Sequence, residues 1–441
     1  MTLLESTKKL VLFSIPIMIG QLGQMLVSAG DVFVATRYST ESVASIGVAS
    51  GVINPIFLFG IGLMMGVSPS LAMSRGEGTD DKETLFSIII YALLVGGSLT
   101  ILTLIANEFV PYFGFDPSLV PSIQQYISIV SWSFPFALLF QGIKEFLQAY
   151  DEVFMPNMLA LGSVVLNLII NFILVFGFAG FGGIGEVGLA YASLAIRIIL
   201  AGTILLLVWS KLSNFNFDKL LVLNIFKFSL PIAFMFFLEV LAFCTVTILS
   251  GVLGVTEAAT NNIIMTLASI AFMIPLSISS AVSVKVGNAY GRKNLHDVRR
   301  YTQSSLIIVL SFVGCSASFF FFFPEQVMGL LSKDFDVIQL GIKLLLIVAI
   351  FQLFDGFQVL LTGVLRGLNS THISSALVFM GYWLIGIPIG IYLAFYTDMG
   401  AEGLWIGLAL SLSIVATLMA IFTMYRFRKL SFNPEGDYEN N

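Results

Sequence analysis

Residues 86–106 read FSIIIYALLVGGSLTILTLIA, a run without a single charged side chain. Because a helix rises about 1.5 Å per residue and the hydrocarbon core of a bilayer is about 30 Å thick, about 20 apolar residues are enough to cross it. Comparable apolar runs recur along the chain, and SFVGCSASFFFFF at residues 311–323 is one of them. The stretch therefore predicts a transmembrane helix, and its recurrence predicts a chain that crosses the membrane many times.

The composition points the same way. Hydrophobic residues make up 57% of the 441 residues and charged residues only 11%, whereas a soluble domain carries about 25% charged residues. A membrane β-barrel would show short segments of alternating polarity. The long apolar runs of this chain favour helices instead.

Polar or Gly/Pro-containing breaks divide the apolar runs into twelve predicted spans. These spans cover 10–35, 46–74, 85–106, 120–146, 155–178, 188–210, 223–251, 259–289, 303–323, 337–364, 374–396 and 402–425. The first follows Lys8 and Lys9 and is longer than the roughly 7 to 15 residues of a signal-peptide core. We therefore expect an all-α polytopic membrane protein whose first span is not cleaved.

Basic residues fall mainly on one side of these spans. With the N-terminus in the cytoplasm, the outward loops contain only Arg37 and Lys333, while Arg197 and Lys343 lie within spans, where we expect them to snorkel or pair. The remaining seventeen of the 21 basic residues occupy inward loops and helix ends: Lys8, Lys9, Arg75, Lys82, Lys144, Lys211, Lys219, Lys227, Lys285, Arg292, Lys293, Arg299, Arg300, Arg366, Arg426, Arg428 and Lys429. This imbalance predicts that both termini are cytoplasmic and that the protein lies in the cell inner membrane.

The two halves of the chain repeat each other. A shift of 215 residues lays LFSIPI at 12–17 on KFSLPI at 227–232, and it lays the polar loop MSRGEGTDDKETL on NAYGRKNLHDVRR. Since each half has an even number of spans, both halves enter the membrane from the same side. The predicted organisation is a six-helix half at 1–210, a cytoplasmic connector at 211–222, a second six-helix half at 223–425 and a polar cytoplasmic tail at 426–441.

Three carboxylates stand out within the predicted spans: Asp31 in the first, Glu239 in the seventh and Asp355 in the tenth. A charge near the centre of a membrane helix costs about 2.5 to 3.5 kcal/mol on insertion scales, so such residues are functional candidates by default. The alternative is that each only pairs with a basic residue or a capping amide. The predicted depths of Glu239 and Asp355 differ by roughly 9 Å, so their direct contact is not established.

Asn167 and Asn171 are four residues apart in the fifth span and share one helix face. Asn171, Asp31 and Ser193 fall in the outer part of the first half, which would make an oxygen-rich cluster suited to a hard cation such as sodium. For the asparagines, an interhelical hydrogen-bond clamp is an equal alternative. Both histidines, His296 and His372, fall in predicted loops, so any proton relay would rest on carboxylates.

Other function classes find little support. No basic patch with interleaved aromatic residues indicates a nucleic-acid partner. Cys244 and Cys315 fall inside apolar runs, which disfavours a disulfide framework or a Cys/His metal site. We also found no nucleophile, phosphate loop or selectivity-filter pattern. We expect a transporter rather than an enzyme or pore, without a cofactor.

These features resemble the multidrug and toxic compound extrusion (MATE) family over nearly the whole chain. The resemblance rests on the SIP and SLP entries to the first and seventh helices, the position of Asp31, the glycine-plus-basic loops after the second and eighth helices, and LTGVLRGLNST at 361–371. It implies a fold of two six-helix lobes, here called the N-lobe and the C-lobe. Asp31, Asn167, Asn171 and Ser193 then match the family's N-lobe cation site, where Ser193 stands for a frequent threonine.

Glu239 and Asp355 match the C-lobe acidic pair of the NorM branch, which the DinF-like branch lacks. The resemblance thus implies export of bulky, often cationic compounds coupled to sodium or protons, with organic cations and the lipid bilayer as partners, and we expect a monomer. NorM-like proteins carry a tyrosine four residues before the helix-ten aspartate, whereas this chain has Phe351. Without that hydroxyl, the C-lobe site would bind sodium more weakly, or bind a proton or substrate instead.

The main alternative is a flippase for lipid-linked or polysaccharide intermediates, because related folds with two such lobes perform that function. Those sites hold pyrophosphate with several cationic residues lining the cavity. In the N-lobe of this chain only Arg197 is available within a span. The sequence therefore favours the exporter.

Overall fold

The computed structural model describes residues 2–79, 84–178, 181–212 and 215–432. The first half consists of eight α-helices, because two of its predicted spans are each made of two helices. They are α1 (Leu3–Tyr38), α2 (Thr40–Met65), α3 (Val67–Glu77), α4 (Leu85–Glu108), α5 (Val120–Ser131), α6 (Phe134–Ala149), α7 (Phe154–Phe176) and α8 (Val187–Val208). A two-residue antiparallel pair, β1 (Gly177–Phe178) and β2 (Phe181–Gly182), follows α7.

The second half also has eight helices. They are α9 (Lys219–Leu253), α10 (Val255–Gly291), α11 (Leu295–Phe322), α12 (Pro324–Leu331), α13 (Phe335–Gly367), α14 (Thr371–Phe379), α15 (Ile387–Tyr396) and α16 (Gly400–Phe432). A π-helical segment, Met380–Gly386, joins α14 to α15. Most spans extend beyond their predicted ends, because polar residues continue the helices past the apolar runs.

The predicted polytopic all-α fold is confirmed. In the described residues, eleven helical stretches are long and apolar enough to cross a membrane, and the bent pair of α5 and α6 makes a twelfth if it is counted as one span. Lys343 pairs with Glu402 at 3.0 Å, as expected for a charge within a span. Lys82 and most of the predicted tail lie outside the described residues. The cytoplasmic placement of the termini stays a prediction.

A proline explains the break in the fourth span, where α5 and α6 meet at an angle of 41°. Pro135 has no N–H to donate to the carbonyl of Ser131, four residues earlier, and its ring crowds that carbonyl. The freed oxygen of Ser131 instead accepts a hydrogen bond of 2.9 Å from the Thr100 hydroxyl of α4. Gly96 lets the two helices approach, since a Cβ there would lie 2.5 Å from the Cα of Pro135. The break is therefore a packed feature in which the freed carbonyl of Ser131 has a partner.

The contacts within the chain define two compact units. One comprises Ile19–Leu71 and Asp80–Ala233, and the other Met1–Met18, Ala72–Thr79 and Phe234–Asn441. The unit assignment changes inside α1 and α9, shortly after Pro16 and Pro231. The linear halves 1–210 and 223–425 remain the prediction drawn from the sequence repeat.

Two glycines that the repeat superposes meet in the second of these units. A Cβ on Gly76 of α3 would lie 2.3 Å from the carbonyl oxygen of Asn288, and a Cβ on Gly291 of α10 would lie 2.1 Å from that of Met73. The Asn288 amide also donates to the carbonyl of Ala72 at 3.1 Å. The backbones of α3 and α10 are thus in direct contact, which only glycine at both positions permits.

We predict that Gly291→Ala destabilises the protein. The added methyl group would overlap a backbone oxygen that cannot rotate away, and such overpacking costs about 1–3 kcal/mol. The variant should melt several degrees lower in detergent, measured by fluorescence-detected size-exclusion chromatography after heating. Gly314→Ala on α11 is the matched control, because nothing lies within 4 Å of a Cβ there. Equal melting temperatures for both variants would contradict this interpretation.

Candidate cation sites in the two halves

The polar site of the N-lobe is built on three helices that pack closely. Asp31 lies on α1, Asn167 and Asn171 on α7, and Ser193 on α8. Gly23 brings α1 against the backbone of α7, since a Cβ there would lie 2.9 Å from the Cα of Leu161. Small residues at such positions are what allow membrane helices to approach this closely.

The carboxylate of Asp31 accepts hydrogen bonds on both oxygens. The side-chain amides of Asn171 and Asn167 donate to Oδ1 at 2.7 and 3.1 Å, and the Ser193 hydroxyl donates to Oδ2 at 3.1 Å. Asn171 also donates to Oδ1 of Asn167 at 3.1 Å. The structure therefore brings all four predicted residues together, with three donors turned toward one anion.

One acceptor in this cluster has no hydrogen-bond partner. Oδ1 of Asn171 is buried and unpaired among the described residues. A carbonyl oxygen in that position is a ligand type that hard cations prefer. The cluster thus contains both the hydrogen-bonded clamp and a free oxygen ligand, and its use as a sodium site stays a prediction.

Arg197 belongs to the same cluster. Its Nη1 donates to the Ser133 hydroxyl at 2.6 Å, and its guanidinium carbon lies 4.6 Å from the centre of the Phe57 ring. Arg197 and Tyr126 both interact electrostatically with Asp31. Sequence reasoning missed Tyr126, Ser133 and Phe57, because tyrosine, serine and phenylalanine are common in spans and carry no pattern of their own.

The polar site of the C-lobe is built around two carboxylates. Glu239 of α9 is 6% exposed and Asp355 of α13 is 7% exposed. Each carboxylate acts electrostatically on the Tyr382 side chain, and Asp355 is also subject to the charge of Glu239. The two carboxylates are therefore within electrostatic range of each other despite their different predicted depths.

Tyr382 brings a hydroxyl to this site from the π-helical segment. Its Oη lies 3.5 Å from Oε1 of Glu239, which is long for a hydrogen bond between oxygens. The neighbouring Trp383 donates from its indole nitrogen to the carbonyl of Leu238 at 3.1 Å and so ties the segment to α9. π-Helical turns are rare and occur frequently at functional sites. Sequence analysis did not identify Tyr382, and nothing in an apolar run distinguishes a π-turn from an α-turn.

Aromatic rings pack beside the carboxylates. Phe351, at the position where NorM-like proteins have tyrosine, lies edge-to-face with Trp405 and with Phe243, with ring centres 5.4 and 6.2 Å apart. Phe243 in turn packs edge-to-face on Tyr382 at 5.9 Å. Phe351 is therefore a packing residue within an aromatic cluster, and the hydroxyl of this region comes from Tyr382.

The face of α13 that carries Asp355 has further unpaired polar atoms. Oδ1 of Asp355, Nε2 of Gln352 and Oε1 of Gln358 are all buried without a hydrogen-bond partner among the described residues. No lysine or arginine of the described chain pairs with Glu239 or Asp355. The C-lobe site therefore holds two carboxylates without a counter-ion, whereas the N-lobe site holds one carboxylate near an arginine.

No classical metal centre is present in the described part of the chain, where no three His, Cys, Asp or Glu side chains come together. Cys244 and Cys315 are free thiols. The sites that the described residues form are therefore built from carboxylates, amides and hydroxyls, which are ligands for hard or organic cations.

Comparison with known proteins supports the family resemblance. The MatE family model matches residues 16–173 and 231–392, two segments that begin 215 residues apart, as the sequence repeat does. The chain is 29% identical over 428 residues to the multidrug resistance protein NorM of Aliivibrio fischeri, covering 93% of each chain. It is 27% identical over 445 residues to the multidrug resistance protein MdtK of Pectobacterium atrosepticum, covering 96% of each.

The fold agrees as well. A crystal structure described as MATE in the bent conformation superposes with a TM-score of 0.89 at 19% identity, covering 98% of this chain and 97% of the other. The two-lobe architecture expected from the resemblance is therefore confirmed. With both repeats matched by one family model and the fold shared over its whole length, this chain belongs to the MatE family of multidrug and toxic compound extrusion transporters.

Proposed function

We propose that this protein is a cation-coupled antiporter that exports bulky, often cationic organic compounds by alternating access. The observation that carries the proposal is the placement of Asp31, Glu239 and Asp355 inside spanning helices. Two of them, Glu239 and Asp355, are buried together without a basic partner among the described residues. Relatives with names such as multidrug resistance protein NorM support the substrate class.

The charge balance suggests how coupling would work. An unpaired carboxylate in a low-dielectric site is unfavourable, so the C-lobe site gains stability by taking up a cation. A coupling ion and a cationic substrate that use the same carboxylates would then displace one another. Binding of sodium or a proton from the outside would release the substrate there, and the ion-loaded protein would then turn inward. Release of the ion into the cytoplasm would free the carboxylates for a new substrate.

Phe243 is the partly exposed ring of the aromatic cluster and lies one helical turn from Glu239 on α9. A ring face next to a carboxylate can bind an organic cation through both charge and contact. We also propose that the protein acts as a monomer in the cell inner membrane, with both termini in the cytoplasm. The one-sided distribution of lysine and arginine in the sequence supports this orientation.

The first experiment measures efflux of a cationic dye from proteoliposomes that hold the full chain. An inward-directed sodium gradient is imposed with the pH clamped on both sides, and a proton gradient is then imposed without sodium. We expect dye movement with at least one of the two gradients. If the dye moves under neither gradient, the result contradicts the proposal and favours the flippase alternative.

Asp31→Asn should abolish coupled export or reduce it by at least about tenfold. The substitution keeps the shape of the side chain but removes the charge that attracts the cation. Glu108→Gln is the matched control, since Glu108 is exposed at the end of α4. Both variants should elute and melt like the parent protein. Full export by Asp31→Asn would count decisively against its assigned role.

Glu239→Gln should impair coupling or weaken substrate affinity, because it leaves Asp355 as the sole carboxylate of the C-lobe site. We expect an increase of several-fold in the substrate concentration for half-maximal export, measured at a fixed gradient. Normal coupled transport by this variant would reduce Glu239 to a structural residue.

Tyr382→Phe should weaken the C-lobe site in the same direction but less strongly. The change removes only the hydroxyl that faces Glu239 and leaves the aromatic packing in place. Tyr392→Phe on α15 removes a hydroxyl from an exposed tyrosine of the same span and serves as the control. If both variants export with equal affinity, the Tyr382 hydroxyl is not a ligand.

A further inference from the structure

Arg197 lies in the interior of its span. It is the eleventh of the 22 residues of α8, so neither end of the helix is within easy reach of its side chain. Instead of extending toward a membrane surface, the guanidinium donates to Ser133 at 2.6 Å and covers the Phe57 ring at 4.6 Å. Placing a charged side chain at this depth of the membrane costs free energy, so a residue of this kind is a candidate for a functional role.

The break in the fourth span provides the anchor for Arg197. Ser133 lies between α5 and α6, where Pro135 interrupts the helix, and its side chain is fully buried. Its hydroxyl donates to the carbonyl of Val130 at 2.5 Å, which leaves its oxygen free to accept from Arg197. The anchor fixes the guanidinium in place through a neutral group and does not neutralise its charge.

Asp31 is the acidic group on which this charge acts. Arg197 is one helical turn from Ser193, which donates to Asp31 at 3.1 Å, so both side chains project from the same face of α8. The groups that act on Asp31 from the packed helices are the neutral amides of α7, Tyr126 of α5, and the Ser193 hydroxyl and Arg197 of α8. Arg197 is therefore the one charged group among the described residues that acts on Asp31.

We propose that Arg197 is the resident counter-cation of the N-lobe site and makes that site a poor one for sodium. With Asp31 ionised and no ion bound, the carboxylate and the guanidinium balance each other. A sodium ion at Asp31 would place a second positive charge beside the same carboxylate and be repelled by the first. The consequence for coupling rests on the proposed function. In that antiporter, the two C-lobe carboxylates, which have no such partner, would be the main binding site of the coupling cation.

The test is sodium binding to the purified full-length protein, measured with radioactive sodium in a scintillation proximity assay. Glu239→Gln and Asp355→Asn are introduced together so that only the N-lobe site can respond. The protein with these two substitutions and an intact Arg197 is the parent. We compare it with the same protein carrying Arg197→Gln or Arg197→Lys. The Gln variant should bind sodium at least about tenfold more tightly, as expected for the loss of one nearby charge. The Lys variant should bind as weakly as the parent.

Adding Asp31→Asn to the Gln variant should abolish the gain and thereby locate it at Asp31. Arg197→Met, of similar length and without charge, replaces the Gln variant if that protein does not elute as a folded species. The proposal is overturned if the neutral variants bind sodium no more tightly than the parent, or if the Lys variant gains as much as they do.

This experiment is separate from the test of export. Sodium binding requires no transport, so an unsubstituted protein that exports nothing under either gradient would overturn the proposed function and still give a decision on Arg197. Conversely, sodium-driven export with no gain in the neutral variants would support the antiporter and overturn the role given to Arg197.

Discussion

A carboxylate inside a membrane protein must be solvated by the protein itself, because the hydrocarbon around it offers no hydrogen bonds. Asp31 satisfies this requirement with three donors from two other helices. For those donors to reach it, α1, α7 and α8 must pack at short distances, and Gly23 permits this on the side of α7. The packing of the first half and the chemistry of its site are therefore consequences of one constraint.

The same constraint acts on the backbone. Every carbonyl that a proline leaves without a donor needs another partner within the membrane. At the break of the fourth span the partner of Ser131 is Thr100, and the irregular turn that results presents Ser133 to Arg197. In the eleventh span, a π-helical turn instead directs Tyr382 toward Glu239. Each of these two departures from regular helix thus places a polar side chain, Ser133 or Tyr382, beside a charged residue of a polar site.

Duplication has produced two halves with similar scaffolds and different charges. The repeat is visible in equivalent prolines at 16 and 231 and in the equivalent glycines 76 and 291, which contact each other directly. The acidic residues of the two sites do not follow the repeat: the N-lobe site has one carboxylate with an arginine nearby, and the C-lobe site has two without. The two halves therefore share packing positions and differ in the charges of their polar sites.

The sequence by itself determined the spans, their number, the duplication and the polar residues that lie within the membrane. These follow from local quantities: the length of an apolar run, the cost of a buried charge and the spacing of four that places Asn167 and Asn171 on one helix face. It also grouped Asp31, Asn171 and Ser193 by depth and Asn167 with Asn171 by helix face, and the structure brings all four into hydrogen-bond contact.

Only the tertiary structure decided which neutral residues complete the two sites. Tyr126, Ser133 and Phe57 around Arg197, and Tyr382 beside Glu239, come from helices far apart in sequence, so no local pattern marks them. The structure also decided that Phe351 belongs to an aromatic cluster and that the nearby hydroxyl comes from Tyr382. The physical reason is that hydrogen bonds and electrostatic interactions depend on distances between helices, and these distances are set by the packing of the whole bundle.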